Sequence, residues 1–291
     1  MSDSQGVYFI PEPSRWPIVG TLALFTSFVG AAIMMNGSGF GAFILGLGFA
    51  TIIYMFSGWF ADVIAESLGG NYNKQVDVSF RWGMSWFIFS EVMFFAAFFG
   101  ALFYVRVFSV PWLGGEGTGV ATNMFLWPEF LSEWPLLTIP DESAFAPFYE
   151  VVPAWGLPAV NTVILLSSGV TVTLAHWAIK RDNNKAVCWW LFATVALGIL
   201  FVYFQAVEYH HAYTELDVKL TSGVYGSTFY MLTGFHGFHV TMGAIMLTVI
   251  LLRAMKGHFT KENHFAFEGV AWYWHFVDVV WLGLFIFVYW L

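Results

Sequence analysis

Apolar residues in this 291-residue chain gather into seven long runs, separated by stretches where polar residues, glycine and proline collect. The runs cover roughly 16–35, 41–61, 82–106, 156–179, 186–211, 223–252 and 265–290. About 20 mostly apolar residues in helical form cross the roughly 30 Å hydrocarbon layer of a bilayer. In that layer every backbone N–H and C=O must be paired within its own segment, so each run is expected to be a helix. Between the first two runs, Asn36-Gly37-Ser38-Gly39 predicts a helical hairpin with a very short connection. The stretch 62–81 is polar and holds Gly69-Gly70-Asn71, and Lys180-Arg181-Asp182-Asn183-Asn184-Lys185 separates the fourth run from the fifth. The longest polar stretch, 106–153, is rich in proline, glycine and acids. The pattern predicts an all-α polytopic membrane protein, a single membrane domain over 1–291. Helices one and two fall within 16–61, helices three to seven within 82–290, and a long loop covers 107–155. No internal repeat or inverted pair of broken helices argues for a transporter.

Charge orients the seven spans. Nine of the eleven Lys and Arg residues lie on the side shared by the N-terminus and the even-to-odd connections: Arg15, Lys74, Arg81, Lys180, Arg181, Lys185, Arg253, Lys256 and Lys261. Only Arg106 and Lys219 lie on the other. The positive-inside rule then puts the N-terminus inside, the C-terminus outside and the acidic 107–155 loop outside. The first fifteen residues, with Asp3 and Glu12 and no basic residue before Arg15, lack the basic start of a cleaved signal, so the first span is expected to remain.

Composition agrees with the pattern: 58% of residues are hydrophobic, 21% aromatic and 10% charged, against about 25% charged in soluble domains. There is no basic patch and hence no expected nucleic-acid partner. The single cysteine, Cys188, excludes an internal disulfide and any multi-cysteine metal or iron–sulfur site in this chain.

Candidate chemistry sits in the few polar residues at membrane depth. Glu91 lies near the middle of the third run, with Phe87, Ile88, Phe94 and Phe95 as its helical neighbours. An ionised carboxylate there would cost several kcal/mol, so it is expected either to be protonated or to bond a group on another helix. That leaves two roles open, structural glue or a proton relay. Gln205, Glu208, His210 and His211 end the fifth run; His236 and His239 share a face of the sixth; His264, Glu268, His275 and Asp278 belong to the seventh. Histidines three apart can hold a metal, but abundant nearby carboxylates favour hydrogen-bonded pairs: His275 with Asp278, and His239 with Glu91 or Glu268. Glu208, His236, His239, Glu268, His275 and Asp278 are therefore assigned to a structural polar network, with no catalytic residue and no metal ligand. At one membrane level, Arg81 opens the third run and Arg253 closes the sixth, near Trp59, Asp62 and Glu66 of the second and Lys256 and His258 after the sixth. Cationic heads beside tryptophan at that depth suit lipid phosphates or plain snorkelling to the headgroups with no fixed lipid, which makes Trp59, Glu66, Arg81, Arg253, Lys256 and His258 candidate lipid-binding residues.

Several runs resemble the cytochrome c oxidase subunit III family: Ser90-Glu91-Val92-Met93-Phe94-Phe95, Val224-Tyr225-Gly226-Ser227-Thr228-Phe229, Thr233-Gly-Phe-His-Gly-Phe-His239, and above all Phe267-Glu268-Gly-Val-Ala-Trp-Tyr-Trp-His-Phe-Val-Asp-Val-Val-Trp281. Pro13-Ser14-Arg15-Trp16-Pro17 and Asp62-Val63-Ile64-Ala65-Glu66-Ser67 look like its start and its second-helix end. The resemblance extends over the chain except 108–152, for which no counterpart is expected. It implies seven helices, with helices one and two splayed from a five-helix bundle by a cleft filled with bound phospholipid. It implies a non-catalytic subunit of a proton-pumping oxidase, with haem a and copper in partner subunits I and II and cytochrome c as donor to the complex. Such a subunit packs mainly on subunit I, protects it during turnover and supports its proton uptake. Where many members have His-His, this chain has His176-Trp177, so a role tied to the second histidine does not carry over. A quinol oxidase subunit is the nearest alternative, although it usually lacks the first two helices. An autonomous proton channel using Glu91, His236 and His239 is the alternative from another class. The long loop favours a bacterial cytoplasmic membrane over the mitochondrial inner membrane.

Overall fold

The computed structural model describes residues 12–139 and 145–291; the expectations for the first eleven residues lie outside them. Among the described residues there is no strand, and seven helices are long and apolar enough to cross a membrane. They are α1 (Trp16–Met35), α2 (Phe40–Leu68), α3 (Lys74–Tyr104), α4 (Leu157–Lys180), α5 (Asn184–Thr214), α6 (Gly223–Met255) and α7 (Phe265–Leu284). Proline stands in the first turn of α1 and α4, where its missing N–H costs nothing. The Asn183 side chain caps α5 by accepting from the Ala186 N–H at 3.1 Å. Gly37 (φ 85°) and Gly70 (φ 74°) turn the chain after α1 and α2 in the left-handed region that glycine adopts without strain.

Two boundaries differ from the hydropathy reading. The second helix continues past residue 61 to Leu68 and the third starts at Lys74, so 69–73 alone connects them. An apolar window sees only the part of a helix that lies in hydrocarbon. The turns carrying Asp62, Glu66, Asp77 and Arg81 are polar yet keep their helical backbone bonds, so the helices run on past the apolar windows. The long polar stretch is also partly helical. After α3 it passes through a π-helical turn (Val105–Ser109) and the short helices Val110–Leu113 and Val120–Leu126. It buries Phe130, Leu136, Ile139 and Phe148. A second π-helical segment, Phe285–Trp290, extends α7.

The chain divides into two units, Met1–Phe80 and Arg81–Leu291. In the first, α1 and α2 form the hairpin expected from Asn36-Gly37. Their backbones meet at glycine: a Cβ on Gly30 would collide with the Leu45 backbone, one on Gly41 with Met34 and one on Gly48 with Ser27. Close approach at small residues is how helices associate in lipid, where burying apolar surface brings no gain over leaving it in hydrocarbon. The Trp16 indole N–H donates to Asp62 at 2.7 Å, tying the start of α1 to the end of α2. Phe25, Phe28, Phe43 and Ile53 stay exposed, as suits a lipid-facing surface.

In the second unit α7 is the most buried span. Trp274 and Trp281 are fully enclosed. The Trp274 ring fills the space left by Gly198 and Gly243, its N–H donating to the Ser168 hydroxyl at 2.8 Å, while the Trp281 N–H donates to Thr162 at 2.8 Å.

Candidate functional site

The intramembrane polar residues fall into separate groups. In the first, Glu91 of α3 meets His239 of α6, with Oε2 and Nε2 2.7 Å apart. The other ring nitrogen, Nδ1, lies 2.6 Å from the Phe235 carbonyl. A carbonyl can only accept, so Nδ1 carries a proton. Two lone pairs would not approach to 2.7 Å, so one more proton lies between Nε2 and the carboxyl. Whether it sits on oxygen or nitrogen, the pair is neutral overall and contains one transferable proton. Phe94 and Phe95 pack against the imidazole, with ring centroids 6.0 and 5.1 Å away. The Tyr273 hydroxyl donates to the His239 carbonyl at 3.2 Å.

A second group gathers around Glu268, in the first turn of α7. Its Oε2 is ion-paired with Arg81 of α3, and its Oε1 lies 3.1 Å from both His176 Nε2 of α4 and His264 Nε2. The two histidine nitrogens are 3.3 Å apart. Of the two partners the sequence offered for His239, Glu91 and Glu268, the structure has Glu91. His176 and His264 were not assigned to the network from sequence. Their signal was the i, i+4 spacing of His264 and Glu268 on one helical face, whereas His176 comes from a helix 88 residues away.

In the third group the Tyr289 hydroxyl donates to Glu208 at 2.6 Å and the Gln205 amide to the same carboxyl oxygen at 3.4 Å. His236 does not pair with a carboxylate: its Nε2 donates to the Val277 carbonyl at 3.1 Å. His275 lies 3.5 Å from Asp278 as expected, and 3.2 Å from Thr173 of α4.

The residues expected to bind lipid are placed as follows. Trp59 is exposed and stacks on Phe60. Glu66 accepts from the Tyr72 hydroxyl at 2.6 Å; burial, with Glu66 adding to it, pushes Tyr72 above the ordinary tyrosine range. Arg81 is engaged by Glu268 and lies over the Phe265 ring. Arg253 lies over Phe259, 4.8 Å from the ring centroid, and its Nε is buried with no hydrogen-bond partner among the described residues. Lys256 caps α6, and His258 is partly buried.

The family model for cytochrome c oxidase subunit III matches residues 6–137 and 143–291. The chain is 41% identical to cytochrome c oxidase subunit 3 of Arabidopsis thaliana over 284 residues, covering 97% of this chain and 96% of that protein. With the subunit 3 of Pylaiella littoralis the identity is 42% over 285 residues, covering 97% and 93%. With that of Dugong dugon it is 38% over 291 residues, covering 100% and 99%. The family match runs through most of the long connection, which corrects the expectation that 108–152 has no counterpart; the stretch outside it shrinks to 138–142.

Proposed function

This chain belongs to the cytochrome c oxidase subunit III family, and from that premise we propose that it is a non-catalytic subunit that steadies the oxidase and assists its proton uptake. In this reading haem a and copper reside in subunits I and II, cytochrome c donates electrons to the complex, and this chain packs mainly on subunit I. The observation that carries the proposal is the Glu91–His239 pair. It is a neutral, one-proton unit bridging two membrane helices and lined by phenylalanine. Such a unit holds a proton at membrane depth with no net charge, and stays neutral on passing it along if another proton replaces it, which suits a proton-linked subunit. Bound phospholipid belongs to the same proposal. It is supported by the exposed apolar surfaces of α1 and α2 and by Arg253 and Lys256 at the end of α6.

The presence of both α1 and α2 favours the cytochrome c enzyme over a quinol oxidase. The setting proposed is a respiratory membrane. The plant and mammalian relatives support the mitochondrial inner membrane, whereas the bacterial membrane rested on a connection that the family model largely takes in.

The test is purification through a tag on this chain. A haem absorption spectrum should co-purify, and Glu91→Gln should leave that spectrum normal while slowing sustained turnover. A chain that purifies without haem and conducts protons alone in vesicles would make it a channel and overturn the proposal.

A further inference from the structure

We propose that His176, His264 and Glu268 form a binding site for a divalent cation of the zinc class, at the end of the bundle where α4 finishes and α7 begins. The three inward-facing atoms, His176 Nε2, His264 Nε2 and Glu268 Oε1, form a nearly regular triangle with edges of 3.1, 3.1 and 3.3 Å. A tetrahedral ion with bonds of about 2.0–2.2 Å places its ligand atoms about 3.3–3.6 Å apart. The triangle is therefore one face of such a tetrahedron, drawn in by a few tenths of an ångström.

The hydrogen atoms argue the same way. His264 Nδ1 lies 2.9 Å from the Thr260 carbonyl, so it carries the ring's proton and leaves a lone pair on Nε2. A backbone carbonyl holding the far nitrogen is the usual outer support of a metal-binding histidine. Glu268 is fixed similarly: Arg81 holds Oε2, which turns Oε1 to the centre. Two acceptor atoms, His264 Nε2 and Glu268 Oε1, thus face His176 Nε2, which offers a third lone pair to the same point when its ring proton sits on Nδ1. A single proton can bridge only one of the three edges, whereas a cation at the centre satisfies all three.

Two imidazoles and one carboxylate suit zinc and its borderline neighbours; magnesium and calcium take oxygen ligands instead. Three protein ligands leave a fourth position for water, and His176 keeps some exposure from which an ion can enter. The positive charge of Arg81, and of Lys180 one turn beyond His176, weakens binding. The site is therefore an exchangeable one that joins α4 to α7 and, through Arg81, to α3. This goes beyond the proton-linked role proposed for Glu91 and does not depend on it.

The experiment uses the purified oxidase complex. It is stripped with a chelator, dialysed to equilibrium against a fixed Zn2+ concentration and assayed, with the outer buffer, for zinc by elemental mass spectrometry. Wild type should bind one zinc per complex more than His176→Ala and His264→Ala. Equal binding in all three would overturn the site. Should the variants not assemble, zinc-edge anomalous scattering from wild-type crystals soaked in Zn2+ decides. A peak about 2.0–2.2 Å from all three atoms supports the site, and the lack of one refutes it.

Discussion

Replacing Glu91 by leucine and by glutamine separates a hydrogen-bond role from a charge role. Leucine leaves His239 Nε2 facing hydrocarbon, because Nδ1 keeps its proton on the Phe235 carbonyl, 2.6 Å away. An unsatisfied buried acceptor costs about 1–3 kcal/mol. Glutamine restores a donor: its amide N–H can reach the same Nε2 lone pair. What it loses is the charge assistance, the difference between about 1.5–3 and about 0.5–1.5 kcal/mol for charged and neutral bonds. Interhelical bonds measured in membranes average about 0.6 kcal/mol and reach about 1.7. Glu91→Gln should therefore cost at most about 1 kcal/mol, and Glu91→Leu about 1 kcal/mol more. The assay is titration of the purified complex with a denaturing detergent, following release of this chain. In a His239→Phe background the advantage of glutamine over leucine should be lost or reversed, since no acceptor remains and the glutamine amide is itself unpaired. Equal losses in the two single variants, or a glutamine advantage that persists without His239, would refute the shared-proton geometry. A hydrophobic carbodiimide, which attacks protonated carboxyls, then locates the proton. Modification of Glu91 ahead of the loop acids Glu116, Glu129 and Glu133 puts it on oxygen, and protection puts it on the imidazole.

Three further outcomes are expected. Single cysteines at Asn184 and Gly117 should be labelled by an impermeant thiol reagent from opposite sides of the membrane, and same-side labelling would overturn the seven-span topology. Gly243→Ala should destabilise the complex by about 1–3 kcal/mol, because the new Cβ would lie 2.7 Å from the Trp274 ring, while Gly237→Ala, with nothing within 4 Å, should leave thermal release of the chain unchanged. Tyr72, raised above its ordinary value, contributes its bond to Glu66 in full at neutral pH. That contribution is lost as pH rises past the unfolded tyrosine value of about 10, where only the unfolded chain has given up its proton. Tyr72→Phe should flatten the alkaline limb of the stability profile, and an unchanged limb would refute the contribution.

The spans were legible in the sequence because lipid imposes one rule on every residue of a crossing segment, and α1, α4 and α6 begin within a residue of where the apolar runs do. The ends of α2 and α3 were not, because Asp62, Glu66, Asp77 and Arg81 continue helices that hydropathy counts as loop. Pairings were legible only when local. His275 with Asp278, three residues apart, followed from spacing. For His239 the sequence left two carboxylates, and choosing Glu91 required knowing which faces of α3 and α6 meet. Arg81 was assigned to a lipid phosphate from its depth and the family resemblance; its pairing with Glu268, 187 residues away, is a property of helix packing. His236 shows another limit, because its acceptor is a main-chain carbonyl, a group every residue carries.

Many of the bonds that cross between helices converge on α7 and its π-helical extension, which are made after the other six spans. Trp274 and Trp281 reach Ser168 and Thr162 of α4, Tyr273 and Val277 meet His239 and His236 of α6, Tyr289 reaches Glu208 of α5, and Glu268 pairs with Arg81 of α3. Synthesis runs from the N-terminus. While the ribosome is still building residues 265–290, the earlier helices are in the bilayer without these partners, and Glu208 and His236 must wait among lipid or be shielded by an insertion factor. Arrival of α7 then supplies these partners to α3, α4, α5 and α6. A nascent chain halted before Phe265 displays unmet polar groups inside the membrane, the feature by which a quality-control protease can tell an unfinished subunit from a finished one.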